Sequence, residues 1–110
     1  MKLFINETYS KMLSAEELNY HTRACVLNKR KSQKIIYCSF FGYAMSICQL
    51  HAHNYEDAVE ILNDGFLKVF KEINSYAPAC EDVISSFKGW VHNIMACTAI
   101  EHSEKITGTT

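Results

Sequence analysis

Apolar side chains recur every three or four positions over most of the chain, and this spacing is typical of amphipathic helices. The spacing is clearest in residues 55–73, where one side of the predicted helix is continuously apolar. This apolar side consists of Ala58, Ile61, Leu62, Gly65, Phe66, Val69, Phe70 and Ile73. Asn54 is the predicted N-cap, because Glu56 and Asp57 then lie in the positive first turn of the helix.

Two helices are predicted before this segment. The first begins at Ser14, since Ser14 and Glu17 have the spacing of a capping box. It should end at the basic residues Lys29, Arg30 and Lys31, which suit the negative end of a helix dipole. Its apolar residues are Leu18, Ala24, Cys25 and Leu27. The second helix is predicted from about Ser32, and it is apolar on nearly all sides up to Leu50, so we expect it in the middle of a bundle.

A fourth helix is predicted from Ser85 or Ser86 to about residue 103. Its helical spacing is carried by Phe87, Trp90, Val91, Ile94, Met95, Thr98, Ala99 and His102. Residues 74–85, which precede it, contain the only proline and follow no regular period. This segment exceeds the usual connection of roughly two to eight residues between bundle helices, so we predict a functional loop. Residues 106–110 are predicted to form a tail.

Composition narrows the class of fold. A chain of 110 residues with 48% hydrophobic residues suits a single domain, residues 1–110, of which about 14–105 should be structured. One proline and four glycines are few helix breakers, so we predict an all-α fold, a compact bundle of three to four helices. The net charge of −1 does not by itself indicate a nucleic-acid-binding protein.

The cysteines and the apolar segments bear on location. Five cysteines, with no CxxC pair, predict reduced thiols in a cytoplasmic protein. Glu7 interrupts the N-terminal segment, so we expect no signal peptide. The longest uncharged run, residues 35–50, is too short to cross a bilayer comfortably, and we predict no membrane contact.

Catalytic and metal-binding motifs are not found in the sequence. There is no nucleophile elbow, no phosphate-binding glycine loop and no HExxH motif, so we expect neither an enzyme nor a cofactor. Glu56, Glu60 and Asp64 would share one helix face, but a di-metal bundle also needs Glu-x-x-His motifs. Cys48, His51 and His53 match no known tetrahedral ligand spacing, and we predict no metal site.

Two segments, YEDAVEILNDGFLKVFKEINSY and SFKGWVHNIMACTAIEH, resemble the second conserved region of bacterial sigma factors of the extracytoplasmic-function (ECF) branch. In the first segment the matching residues are Glu56, Asp57, Ala58, Glu60, Ile61, Leu62, Gly65, Phe66, Lys68, Val69, Phe70 and Lys71. In the second they are Ser86, Phe87, Trp90, Ala99, Ile100, Glu101 and His102. The resemblance extends over about residues 14–105 and implies a small helical transcription-initiation domain.

The resemblance implies two partners. One is core RNA polymerase, bound through the clamp helices of its large catalytic subunit, and the other is the single-stranded non-template strand of the −10 promoter element. An anti-sigma factor is a further candidate partner. The polymerase-binding residues would be Glu56, Asp57, Glu60, Asn63 and Asp64. A carboxylate-rich helix can direct a basic helical partner into register, which agrees with this role.

The loop and the fourth helix would bind DNA. The candidate DNA-binding residues are Tyr76, Phe87, Lys88, Trp90, His92 and Asn93. Tyr76, Phe87 and Trp90 are candidate stacking surfaces for an unstacked base, because their rings are aromatic. Each stacked base contributes roughly 1–3 kcal/mol to binding.

The chain departs from the family pattern at several positions. Val59 replaces a usual glutamate, and Asn63 with Asp64 replaces the usual Gln-Glu pair. The fourth helix lacks the family's arginines, and Lys88 and Lys105 are its only formal cations. Because phosphate contacts supply most nucleic-acid affinity, we expect weak DNA binding by this domain alone.

The resemblance also implies a further helix-turn-helix domain, for which residues 1–110 leave no room. We therefore expect either an excised domain of a longer protein, which the abrupt ending favours, or a sigma-like protein that binds polymerase without full promoter selection.

Each functional assignment has an alternative. The acidic residues could be solvated surface, or could bind a different protein as part of a generic helical interaction module. Phe87 and Trp90 could belong to the core, and His102 could simply favour a helix C-terminus. The basic residues near the first two helices either form a solvated junction or contact phosphate. These basic residues are Arg23, Lys29, Arg30, Lys31 and Lys34.

Overall fold

Helices account for most of the described backbone. The computed structural model describes residues 13–78 and 80–107, and within them the chain forms four α-helices and no strand. These are α1 (Ala15–Val26), α2 (Arg30–His51), α3 (Tyr55–Glu72) and α4 (Val83–Thr107), with a short 3-10 turn at Ile73–Ser75. The predicted all-α bundle is confirmed. The N-terminal segment that bears on a signal peptide lies outside the described residues.

The two predicted helix caps are both present. At α1, the backbone N–H of Glu17 donates to Ser14 Oγ over 3.1 Å, and the Ser14 N–H donates to the Glu17 carboxylate over 2.9 Å. At α3, the Asp57 N–H donates to Asn54 Oδ1 over 2.7 Å. Each cap satisfies backbone groups that the first turn of a helix leaves free, and both helix starts are therefore defined by local sequence.

The junction between α1 and α2 differs from the prediction. α1 ends at Val26, and the chain reverses at Asn28, whose φ of 59° is one that asparagine tolerates better than most residues. The basic residues therefore do not close α1. Lys29 is the N-cap of α2, and Arg30 and Lys31 lie in its first turn, where the helix dipole disfavours positive charge.

α2 lies at the centre of the bundle, as predicted, and packs against α1, α3 and α4. Tyr37, Phe66 and Phe87 are the largest fully buried side chains. Two predicted core residues are exposed instead, namely Leu27 at 69% and Leu50 at 82%. Both lie at the ends of their helices, where no neighbouring helix covers them, so periodicity alone overestimates the apolar face there.

The predicted loop at residues 74–85 is shorter than expected. Its first residues form the 3-10 turn, and α4 already begins at Val83. The reason is Asp82, whose carboxylate accepts hydrogen bonds from the backbone N–H of Ser85 over 3.1 Å and from the Ser85 hydroxyl over 3.0 Å. An aspartate in this position caps a helix, and the predicted start at Ser85 or Ser86 was wrong.

The C-terminal end of α4 also differs from the prediction. The helix continues to Thr107, so residues 106 and 107 do not belong to a tail, and residues 108–110 lie outside the described part. None of the helices in the described part is long and apolar enough to cross a membrane.

Candidate functional site

The two groups of predicted binding residues lie on different elements, one on α3 and the other on the loop before α4 and on α4 itself. We call Glu56, Asp57, Glu60, Asn63 and Asp64, all on α3, the acidic face. Within it, Glu56 and Glu60 are exposed, whereas the other three are partly buried. The carboxylates of Glu56 and Glu60 are one helical turn apart, so both are available on one side of α3.

Asp57 and Asn63 make contacts inside the fold. The Asp57 carboxylate accepts a hydrogen bond from the backbone N–H of His53 over 3.1 Å, which ties down the turn before α3. The Asn63 side-chain oxygen accepts a hydrogen bond from the phenol of Tyr37 over 3.3 Å. Burial raises the pKa of Tyr37 to about 12, so this phenol stays protonated and remains a donor. Both residues therefore stabilise the bundle.

Asp64 joins α3 to α4 through His102. The Asp64 carboxylate lies 2.7 Å from Nε2 of His102, which is 8% exposed, and Glu60 lies 3.8 Å from Nδ1 of the same ring. The sequence alternative, that His102 simply favours a helix C-terminus, does not account for this contact. His102 is a buried residue held by a carboxylate from the neighbouring helix.

A second polar contact between α3 and α4 lies one turn further along. Lys68 Nζ donates to the Glu101 carboxylate over 2.5 Å and to the Thr98 hydroxyl over 3.1 Å. With Asp64 and His102, these three residues border a shallow cavity of about 310 Å³. Every polar group named here has a partner on the other helix, which indicates a structural contact rather than an open ligand site.

The predicted DNA-binding residues converge more closely. Tyr76 from the loop and Trp90, His92 and Asn93 from α4 line one open cavity of about 390 Å³, which we call the aromatic pocket. Tyr76 and Trp90 lie with their ring centroids 4.9 Å apart. His92 and Asn93 are exposed at its edge, and Trp90 is only partly buried. The pocket therefore combines ring surfaces with hydrogen-bonding side chains.

Phe87 and Lys88 do not line this pocket. Phe87 is completely buried, with its ring edge-on to Tyr76 at 5.4 Å, so it supports the pocket from below and offers no stacking surface. The alternative that Phe87 belongs to the core is confirmed. The Lys88 ammonium lies 5.2 Å from the ring centroid of Tyr43 on α2, a cation–π distance.

The loop that carries Tyr76 is fixed at its far end. The backbone N–H of Cys80 donates to the hydroxyl of Ser86 over 3.0 Å, and Asp82 caps α4. The hydrogen bonds from Ser85 lower the pKa of the Asp82 carboxyl, so the cap stays ionised at neutral pH. These bonds hold the rim of the aromatic pocket against the first turns of α4.

The cysteines and histidines offer no metal centre among the described residues, where no group of three His, Cys, Asp or Glu side chains could hold an ion. None of the five cysteines forms a disulfide, and Cys25, Cys38 and Cys48 are buried. Burial raises the pKa of Cys25 to about 11 and that of Cys48 to about 12, so both remain thiols that pack in the core.

The sequence did not predict the contact between His102 and Asp64 or the cleft between α1 and α2. Asp64 and His102 are 38 residues apart, and no local spacing links them. The cleft has a volume of about 690 Å³, and it is lined by residues that the sequence marks only as a basic helix junction.

Comparison of the chain with protein-family models, with curated proteins and with solved structures finds no match.

Proposed function

We propose that the chain is a transcription-initiation domain similar to the second region of an ECF sigma factor. In this proposal the exposed part of the acidic face binds the clamp helices of core RNA polymerase. The aromatic pocket binds one unstacked base of the melted −10 promoter element. The mechanism is binding without catalysis, and it implies a cytoplasmic protein.

The observation that carries the proposal is the composition of the aromatic pocket. Tyr76, Trp90, His92 and Asn93 were selected from the sequence alone, and all four line the same cavity. Its volume of about 390 Å³ falls in the range of ligand pockets, roughly 300–1,000 Å³. Unstacked bases are typically held by an aromatic ring and by hydrogen bonds to the base edge, and the pocket provides both kinds of group.

Two of the five residues of the acidic face support the proposed binding to polymerase. Glu56 and Glu60 are exposed, and Tyr55 beside them is 57% exposed. A pair of carboxylates next to an exposed aromatic ring suits a basic helical partner, because the charges direct the approach and the ring adds contact area. Asp57, Asn63 and Asp64 would contribute only indirectly, because they stabilise the helices that present this surface.

Fluorescence of the only tryptophan tests the pocket directly, since Trp90 lines it. Titration with single-stranded DNA of about ten nucleotides should quench this fluorescence, because a base stacks on the indole ring. The same sequence as a duplex should quench far less, since its bases are already stacked. His92→Ala should weaken the single-strand titration several-fold, roughly what loss of one hydrogen bond costs.

His51→Ala is the matched control, because His51 is an exposed histidine at the end of α2, outside the pocket. An unchanged Trp90 signal at the highest strand concentration would contradict the proposed pocket. Equal weakening by the two histidine variants would do the same. A chain that binds polymerase without any strand-dependent signal would instead be a sigma-like regulator without promoter recognition.

A further inference from the structure

Positive charge is concentrated in one part of the sequence. Between Glu17 and Glu56 there is no aspartate or glutamate, yet this span contains five of the eleven lysines and arginines. These five are Arg23, Lys29, Arg30, Lys31 and Lys34. The overall charge of −1 hides this separation. A cationic region of this kind is the electrostatic pattern expected of a surface that binds polyanions.

The structure brings part of this region together as the basic cleft, which lies between the end of α1 and the start of α2. Arg23, Lys29 and Lys31 supply its charge, and Tyr20, Leu27 and Ile35 supply apolar surface. The cleft has a volume of about 690 Å³, and among the described residues no acidic side chain lines it. Apolar lining beside three cations suits a ligand with both anionic groups and a flat apolar part.

A contact between α1 and α2 holds the residues that line the basic cleft in place. Ser32 is buried, and its hydroxyl lies 2.8 Å from Nδ1 of His21, which ties α1 to α2. Burial lowers the pKa of His21 more than nearby Glu17 raises it, so the imidazole is mostly neutral near pH 7. The positive charges of the cleft are therefore those of arginine and lysine.

Tyr20 stands at the edge of the basic cleft. Its ring packs edge-on against the His21 ring with centroids 5.0 Å apart, while 66% of the residue remains exposed. The ring thus has a neighbour on one side and open surface on another. An exposed aromatic ring beside lysines is the combination that single-stranded nucleic acids use, with bases on the ring and phosphates on the cations.

We propose that the basic cleft binds a single-stranded nucleic acid, with its phosphates on Arg23, Lys29 and Lys31 and a base stacked on Tyr20. This site is separate from the aromatic pocket. The inference rests on the proposed function only for the identity of the strand, which would be the melted promoter strand.

Within the part of the chain that the structure describes, the basic cleft and the aromatic pocket share no lining residue. The cleft would supply phosphate contacts that α4 lacks.

Binding of a fluorescein-labelled oligothymidylate of about 12 nucleotides, measured by fluorescence anisotropy, tests the proposal. The combined change Lys29→Glu with Lys31→Glu should weaken binding at least roughly tenfold, because two charge-assisted phosphate contacts are lost. The slope of log affinity against log salt concentration should become shallower by about 0.7 for each lost contact. Circular dichroism should show unchanged helix content, since both lysines are exposed.

Lys71→Glu and Tyr55→Ala are the matched controls. Lys71 is an exposed lysine on α3 outside the cleft, and Tyr55 is an exposed tyrosine at the start of α3. Tyr20→Ala should weaken binding roughly five- to hundredfold through the lost stacking, whereas Tyr55→Ala should have little effect. Lys71→Glu should change the affinity less than twofold.

Several results would overturn the proposal. These are no binding of the oligothymidylate at low salt, an equal loss with Lys71→Glu, or an affinity that Tyr20→Ala leaves unchanged. Tighter cleft-dependent binding of polyglutamate than of oligothymidylate would also overturn it and would indicate an acidic protein partner. The proposed function is tested separately, by the Trp90 fluorescence and by polymerase binding. If those two experiments fail, the anisotropy measurement still tests the basic cleft.

Discussion

At Gly65 the backbone of α3 lies against the thioether of Met95 on α4, and an added Cβ would overlap the Met95 Sδ atom. Met95 is completely buried, so its side chain has little room to move aside. The sequence places Gly65 on the apolar face of α3. It does not show that Met95 lies opposite, because this depends on the register between two helices that are distant in the chain.

Gly65→Ala should therefore be about 1–3 kcal/mol less stable than Gly89→Ala, because both variants gain helix propensity but only the methyl group at position 65 overpacks the contact between α3 and α4. Gly89→Ala on α4 is the control, because an added Cβ there meets nothing within 4 Å. It should stabilise the fold by about 0.5–1 kcal/mol through helix propensity. Urea unfolding measures both free energies, and a Gly65→Ala variant as stable as Gly89→Ala would contradict the close packing.

At the scale of the helices, hydrogen bonds within the fold engage three of the five residues of the acidic face. The sequence treats its five residues as one binding surface. In the structure Asp57 ties down a turn, Asn63 contacts Tyr37 and Asp64 holds His102. Only Glu56 and Glu60 remain exposed. Charge-reversal experiments on Asp57 or Asp64 would therefore perturb the fold as well as any binding.

His102→Ala should lower the free energy of unfolding by about 1–3 kcal/mol, because it removes a buried ring and its 2.7 Å contact with Asp64. His92→Ala, on the exposed side of the same helix, should stay within about 0.5 kcal/mol of the wild type. Thermal and urea unfolding of the two variants measure these changes in the free energy of unfolding. Equal stabilities would mean that the pair does not hold α3 to α4.

The helices themselves were largely predictable because their signals are local. The capping box at Ser14, the cap at Asn54 and the apolar period of α3 all depend on residues within a few turns. The missed features fall into two kinds. Asn28 and Asp82 set turns that hydrophobic periodicity does not report, while the Asp64–His102 pair and the basic cleft depend on how distant segments pack.

At the scale of the whole molecule, the charge distribution is polarised along the bundle. The start of α3 presents Glu56 and Glu60, whereas the junction of α1 and α2 presents the cations of the basic cleft. A carboxylate surface for a basic protein and a cationic surface for nucleic acid can thus act at the same time. The proposed function would use both surfaces, the first for polymerase and the second for DNA.

Affinity of the 110-residue chain for core RNA polymerase tests the central claim most directly. The relevant variant combines Glu56→Arg with Glu60→Arg, since both residues are exposed and their reversal spares the contacts of Asp57 and Asp64. Glu72→Arg, an exposed glutamate at the other end of α3, is the matched control. We predict that the wild type and Glu72→Arg bind alike and that the double reversal binds at least roughly tenfold more weakly. A folded wild-type chain that does not bind polymerase, or a double reversal that binds as well as the wild type, would contradict the account.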